Sequence, residues 1–202
     1  MENINWDNLS ISLQYKAGQI TDKKIDKILN ELKEAGITVA AVVRPNPEIT
    51  VFSLDDKGCM FIILPDSISY TIQNVPDRYS IAYQHLLKIM DLMSVEDQNM
   101  YVINIQGSSI GANSHAESKN RFNEEHRNIL NQYNDIYGIG YRFLIKNELY
   151  SGELKIEPMV SDSTKYFHQY VINTLSNMHL KALIDLIKVC VERDFDSLRE
   201  VL

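Results

Sequence analysis

Residues 37–72 read ITVAAVVRPNPEITVFSLDDKGCMFIILPDSISYTI, and this stretch decides the fold. It holds runs rich in β-branched and aromatic residues, bounded by turn-forming residues. The runs are 37–43, 49–54, 59–64 and 67–72. The connections between them are too short to contain a crossover helix, so successive strands must run antiparallel. The stretch therefore predicts a four-stranded antiparallel meander over residues 37–72.

Helical spacing is found on both sides of the meander. Apolar residues from Ile25 to Leu32 recur at intervals of three and four, with Thr21 placed as an N-cap and Gly36 as the terminating glycine. After the meander, Asp77 is placed to cap a second helix, which runs through the apolar stripe from Tyr79 to Met93. These patterns predict one amphipathic helix before the meander and one after it.

Two more helices are predicted later in the chain. Ser114 and Glu117 match a capping box, with Ser114 as the N-cap of a strongly polar helix. Apolar residues from Leu180 to Val191 return at helical spacing and predict the final helix.

Alternating residues predict the remaining strands, from Leu9 to Tyr15 and from Met100 to Ile105. In the C-terminal part, 141–146 and 153–159 form a hairpin pattern. Residues 166–175 favour a strand over a helix because of their aromatic and β-branched content. The fold class is α+β, with a mostly antiparallel sheet (the meander 37–72 plus C-terminal strands within 138–175) and three to four amphipathic helices. No linker or internal repeat is visible, so residues 1–202 are predicted to form one domain.

Composition narrows the classes of function. The net charge is −7 and no Lys/Arg block is present, which disfavours nucleic-acid binding because phosphate neutralisation supplies most of that affinity. Apolar runs are far shorter than the ~20 residues of a membrane span, and the first residues lack a secretory pattern, so we expect a cytoplasmic protein. Cys59 and Cys190 lie in apolar runs and are expected to be buried thiols. No cofactor and no metal site are predicted.

The polar stretch after residue 107 contains the candidate catalytic residues His115, Glu117 and His126, since histidine and carboxylate groups act as acids, bases and metal ligands. The two histidines are 11 residues apart, which puts them on one helix face but about 16 Å apart along the axis. They can meet only if the helix is broken. A solvated helix face is the favoured interpretation.

Gly107, Ser108, Ser109 and Gly111 fall between a strand and a helix, where backbone amides can bind phosphate. A flexible loop over 107–113 is the favoured interpretation, because neither a GxGxxG pattern nor a P-loop is present. A ligand-binding role for these four residues, as an anion site, is the alternative.

Tyr141, Tyr150, Tyr166 and Tyr170 accompany the C-terminal strands and are candidate interface residues, since exposed tyrosines favour protein contacts. Half-buried core tyrosines would give the same sequence pattern. With catalytic motifs absent, the sequence favours a non-enzymatic protein-interaction domain that binds itself, as a homodimer, or another protein. The alternative is a small-ligand or metal-dependent enzyme with its site around residues 107–126.

Overall fold

The computed structural model describes residues 4–55, 58–74, 77–125 and 135–199. Its elements follow in chain order as β1 (Asn5–Gln14), α1 (Asp22–Glu34), β2 (Val39–Asn46), β3 (Ile49–Leu54), β4 (Cys59–Ile63), β5 (Ser67–Gln73), α2 (Arg78–Met93), β6 (Gln98–Asn99), β7 (Tyr101–Ile110), α3 (Ser114–Glu125), β8 (Tyr141–Lys146), β9 (Tyr150–Pro158), β10 (Lys165–Thr174), β11 (Met178–His179) and α4 (Leu180–Arg199).

A nine-stranded sheet organises the chain, with strand order β2-β3-β4-β5-β1-β7-β10-β9-β8. Every neighbouring pair in it is antiparallel. The predicted meander is present as β2 to β5, and the ambiguous segment is the strand β10. The predicted α+β class with a large antiparallel sheet is therefore confirmed.

The topology nearly repeats about the centre of the sheet, with one strand more in the first half than in the second. The first half runs β1-α1-β2-β3-β4-β5-α2, and the second runs β7-α3-β8-β9-β10-α4. The opening strands of the two halves, β1 and β7, pair antiparallel at the centre, and each is flanked by the last strand of its own half. This repeat cannot be recognised in the sequence because corresponding elements of the two halves differ in residue type. The helix α1 buries Ile25, Ile28 and Leu32, whereas α3 is polar.

The helices lie on one side of the sheet, which we call the covered face. Residues that point to this side alternate with half-buried or exposed ones along each strand, as Leu9, Ile11 and Leu13 do in β1. Below them α2 packs against β5 and α4, while α1 contacts α2 and β2. One hydrophobic cluster includes residues from both halves. Among the described residues, no helix combines the length and apolar character that a membrane span requires.

Local signals at the helix ends are partly confirmed. Thr21 caps α1 by accepting from the amide of Lys24, and Gly36 follows the end of α1 with a φ of +77°. Asp77 is the N-cap of α2, but its left-handed backbone (φ 58°) leaves its side chain without a capping bond.

The predicted capping box of α3 is wrong by one residue. Asn113 is the true cap, since its Oδ1 accepts from the amide of Ala116 and its own amide donates to Glu117. Ser114 instead is fully buried and donates to the carbonyl of Ser163 at 3.1 Å.

The predicted loop over 107–113 is also wrong for its first four residues. Strand β7 continues to Ile110, because Gly107 pairs with both Trp6 in β1 and His168 in β10. Glycine is required there because the backbone of Asn5 and the ring of Trp6 lie too close to leave room for a side chain. A Cβ at this position would come within 2.5 Å of the Asn5 carbonyl oxygen. What resembles a flexible Gly/Ser loop is thus a strand under an aromatic ring.

Candidate functional site: the open face of the sheet

The side of the sheet that points away from the helices, here called the open face, is almost uncharged across seven strands. In one register row, each residue pairs with the next: Val43, Val51, Ile62, Ser69, Ser12, Val102 and Asn173. The adjacent row is Ala41, Ser53, Met60, Thr71, Ser10, Asn104 and Val171. At ~4.8 Å between strands, these rows extend about 30 Å without an ionisable group.

Hydroxyl and amide groups on the open face bond mainly to one another. Ser12 and Ser69 share a hydrogen bond of 2.8 Å between their hydroxyl oxygens, and Thr71 donates to Ser10 at 3.2 Å. Farther along, Gln169 donates to Asn104 at 3.0 Å. Because these groups are already paired, covering the face with a partner would leave few of them unsatisfied.

Charged side chains collect at the β8–β9 end of the open face. Glu153 forms ion pairs with Lys155, at 2.9 Å, and with Arg142. Hydrogen bonds from Lys155 and then from Arg142 hold the pKa of the Glu153 carboxyl below its usual value. This end therefore carries charge of both signs, while the centre carries none.

Exposed hydrophobic side chains concentrate on the open face. Of the eleven large hydrophobic residues exposed in the described part of the chain, seven lie on this face or directly continue its strands. The seven are Val43, Met100, Val102, Ile110, Leu144, Leu149 and Leu175. Exposed apolar side chains gathered on one face are less expected by chance than single ones scattered over the whole surface. The alternation of these residues with buried ones could have suggested an exposed apolar face. The sequence does not show, however, which side of the sheet the helices cover.

An apolar cleft of about 330 Å³ opens where β1 and β10 end and the antiparallel strand β7 begins. Its lining includes the open-face residues Met100, Val102 and Asn173 together with Ser12, Gln14 and Ser67. Leu13, Tyr101 and Thr174 lie deeper. Burial and then the nearby Asp97 raise the pKa of Tyr101 above its usual range, so this phenol stays neutral. The cleft is sized for one or two apolar side chains.

Two of the candidate catalytic residues, His115 and Glu117, have separate partners. His115 lies in the first turn of α3, where its Nε2 is 2.9 Å from the carbonyl oxygen of Met159 and its ring packs edge-on against Tyr137. Glu117 instead accepts from the Tyr166 hydroxyl at 3.2 Å. Burial, followed by Glu117, raises the pKa of Tyr166 to about 12. His126 lies outside the described residues.

His115 also lines a pocket of about 390 Å³ beside α3, which we call the α3 pocket. Asp135, Tyr137 and Glu157 line it too. In the part of the chain that the structure describes, no three His, Cys, Asp or Glu side chains are grouped so as to hold a metal ion.

The candidate anion-binding residues have sheet partners. Gly107, Ser108 and Ser109 pair with β10, so their backbone is placed within the sheet and not around a ligand. Gly111 donates its amide to the carbonyl of Thr164 at 2.8 Å. A backbone cradle for phosphate needs several free convergent amides, and this segment does not provide that arrangement.

Ser109 contacts a histidine that sequence reasoning did not pair with it. The Ser109 hydroxyl is 2.7 Å from Nε2 of His168. Such a contact is used in nucleophilic catalysis, but the two residues are only 2% and 1% exposed. Burial lowers the pKa of His168 to about 4. The pair is therefore a feature of the core that no substrate reaches.

The four candidate interface tyrosines lie on the covered face. Tyr150, Tyr166 and Tyr170 are buried, and Tyr141 is half-buried. Of the two interpretations left open by the sequence, Tyr150, Tyr166 and Tyr170 fit the core one, because alternation alone does not tell which side of a strand the helices cover. Leu144, at 77% exposure, is the prominent exposed side chain of β8.

Comparison with known proteins provides little further information on what this site does. No protein-family model matches the chain. The tRNA N6-adenosine threonylcarbamoyltransferase of Mycoplasma capricolum subsp. capricolum is 32% identical to it over 88 residues. That stretch covers 43% of this chain and only 28% of the relative, so the chain is similar to a minor part of that enzyme.

Proposed function

We propose that this chain is a protein-interaction module that binds a second copy of itself through the open face of its sheet. One observation carries the proposal: an uncharged surface about 30 Å wide on a chain in which 23% of residues are charged. Charged residues are depleted at the centres of protein interfaces. Residues 1–202 are taken as one domain in this proposal, supported by the shared core of the two halves.

The size of the open face agrees with a dimer. Seven strands span about 30 Å, and β7 from Met100 to Gln106 spans about 20 Å. The product is on the order of 600 Å² for each copy, near the ~800 Å² per partner of a standard interface. Two chains of net charge −7 repel each other at long range. Because the centre of the open face is uncharged, dimerisation through it brings no like charges of the two copies into direct contact there.

The test is sedimentation velocity over a range of protein concentrations with a matched pair of lysine substitutions. Val102 on the open face is 46% exposed, and Val189 on α4 is 52% exposed. We expect wild type and Val189→Lys to dimerise, and Val102→Lys to remain monomeric with unchanged circular dichroism. A monomeric wild type at high micromolar concentration would overturn the proposal, as would equal dimerisation of both variants.

A second candidate function is small-ligand binding in the α3 pocket, favoured by the convergence of His115, Asp135 and Glu157 on one cavity. A thermal-shift screen with divalent cations and nucleotides tests it, because a ligand that binds only the folded state raises stability by mass action. A shift abolished by His115→Ala would support this role. No shift across the panel would remove it.

A further inference from the structure

The open face also contains an asymmetry that selects how two copies would meet. Its cleft lies at the end of β7 near Met100, while Ile110 is exposed at the opposite end of the same strand. Phe167 lies on the open face of β10 beside this second end, since its register partner is Ser108. One end is thus concave and apolar. The other presents Ile110 and Phe167, whose register partners on the same face include Lys165, ion-paired to Asp162, and Glu157.

We propose that the dimer forms face to face about a two-fold axis that runs across the strands between Asn104 and Gln106. This inference rests on the proposed function and specifies its partner surface. Such an axis reverses strand direction, so Ile110 of one copy lies over Met100 of the other. Phe167 then lies over Asn173, and both apolar side chains face the cleft of the second copy. In a two-fold interface each such contact occurs twice.

The same axis also matches the charged end of the face. On β9 it places Glu153 of one copy opposite Lys155 of the other. Shifting the axis by one residue in either direction would place Glu153 over Glu153, or Lys155 over Lys155. Such like-charge contacts disfavour an interface. One position of the axis therefore fills both clefts and opposes Glu153 to Lys155 on β9.

A two-fold axis parallel to the strands gives a poorer match. It would bring the apolar β2–β4 end, with Val51 and Ile62, over the β8–β9 end, with Arg142 and Glu153. Apolar groups would then cover charged ones, and burial of charge without new partners is costly.

Cysteine cross-linking distinguishes these arrangements, because the native Cys59 and Cys190 are buried. Met100 and Ile110 are ten residues apart, or about 33 Å along the strand. In the proposed dimer, the two Ile110 side chains are therefore far apart, while Ile110 and Met100 of different copies are adjacent. A short bis-maleimide reagent should cross-link a mixture of Met100→Cys and Ile110→Cys chains and leave either variant alone uncross-linked.

The possible outcomes distinguish an error in the position of the two-fold axis from a failure of self-association itself. If both variants sediment as dimers but the mixture yields no cross-linked species, the axis is wrong while self-association stands. Cross-linking of Ile110→Cys alone would overturn the axis as well. A monomeric wild type removes both proposals.

A second experiment measures the dimer Kd of two alanine variants. Phe167→Ala should raise this Kd at least tenfold, whereas Leu87→Ala on α2 should leave it unchanged.

Discussion

The hydroxyl of Ser109 and the imidazole of His168 are hydrogen-bonded at 2.7 Å in the core, under the ring of Trp6. His168 is held neutral by burial, with its pKa lowered to about 4 from an ordinary value of 6.5. The unfolded chain therefore binds a proton between pH 6.5 and pH 4 that the folded chain does not. Stability that is present above pH 6.5 is lost as the pH falls through this window.

We predict that the free energy of unfolding falls by about 2 kcal/mol from His168 alone between pH 7 and pH 5. Urea unfolding at both pH values measures it. His168→Gln cannot titrate, so its stability should depend less steeply on pH than that of wild type. Parallel pH profiles of the two proteins would contradict this assignment.

Gly107→Ala is predicted to destabilise the fold by about 2–3 kcal/mol, because the added methyl group would overlap the Asn5 carbonyl and the Trp6 ring. Gly36→Ala is the control. Its Cβ would meet no atom within 4 Å, and only its φ of +77° is unfavourable. The control should lose about 1 kcal/mol. Denaturant midpoints compare them, and equal losses would show that Trp6 does not enforce the glycine.

Asn113→Ala should cost about 1 kcal/mol, because it removes the side chain that caps α3. Asn120→Ala, an exposed change within α3, should be neutral or slightly stabilising because alanine favours helices. Hydrogen exchange of the α3 amides measures both effects. Loss of protection in Asn120→Ala as great as in Asn113→Ala would argue against a specific cap.

Salt is predicted to tighten self-association modestly. Each copy carries a net charge of −7, so screening weakens the repulsion between copies while leaving the uncharged centre unaffected. Sedimentation in 50 and 500 mM NaCl tests the sign of the change. Nucleic-acid binding behaves in the opposite way, since salt weakens it steeply. A dimer that dissociates in high salt would indicate that contacts at the charged β8–β9 end, such as Glu153 with Lys155, contribute more than the uncharged centre does.

The sequence was sufficient for most of the long strands because residue type, alternation and turn boundaries are local signals. The meander was predicted from β-branched runs between turns, and β10 from its aromatic and β-branched content. The identity of the covered face was not predictable, because it depends on how distant helices pack. Tyr170 and Leu144 illustrate this limit: both lie in alternating C-terminal strands, yet one is buried and the other is 77% exposed. The open face was missed for the same reason, since its rows join residues from seven strands.

Gly107 shows a second limit. Its neighbours Ser108 and Ser109 have the composition of a loop, and the ring that requires a glycine comes from Trp6, about a hundred positions earlier. His115 and Glu117 were correctly placed on one polar helix. Their separate partners, Met159 and Tyr166, belong to the second half of the chain and leave no trace in local spacing.

The central pairing of β1 with β7 has a consequence for the order of folding. Within the meander, paired residues such as Phe52 and Phe61 are close in sequence, whereas Leu9 and Ile105 at the centre are separated by most of the first half. Closing so long a loop costs entropy that local pairings avoid. During synthesis, β1 can pair with β5 before β7 has emerged. Until β7 has been synthesised, the edge of β1 that will pair with it remains open. During this interval the nascent chain is most prone to pair with a wrong strand.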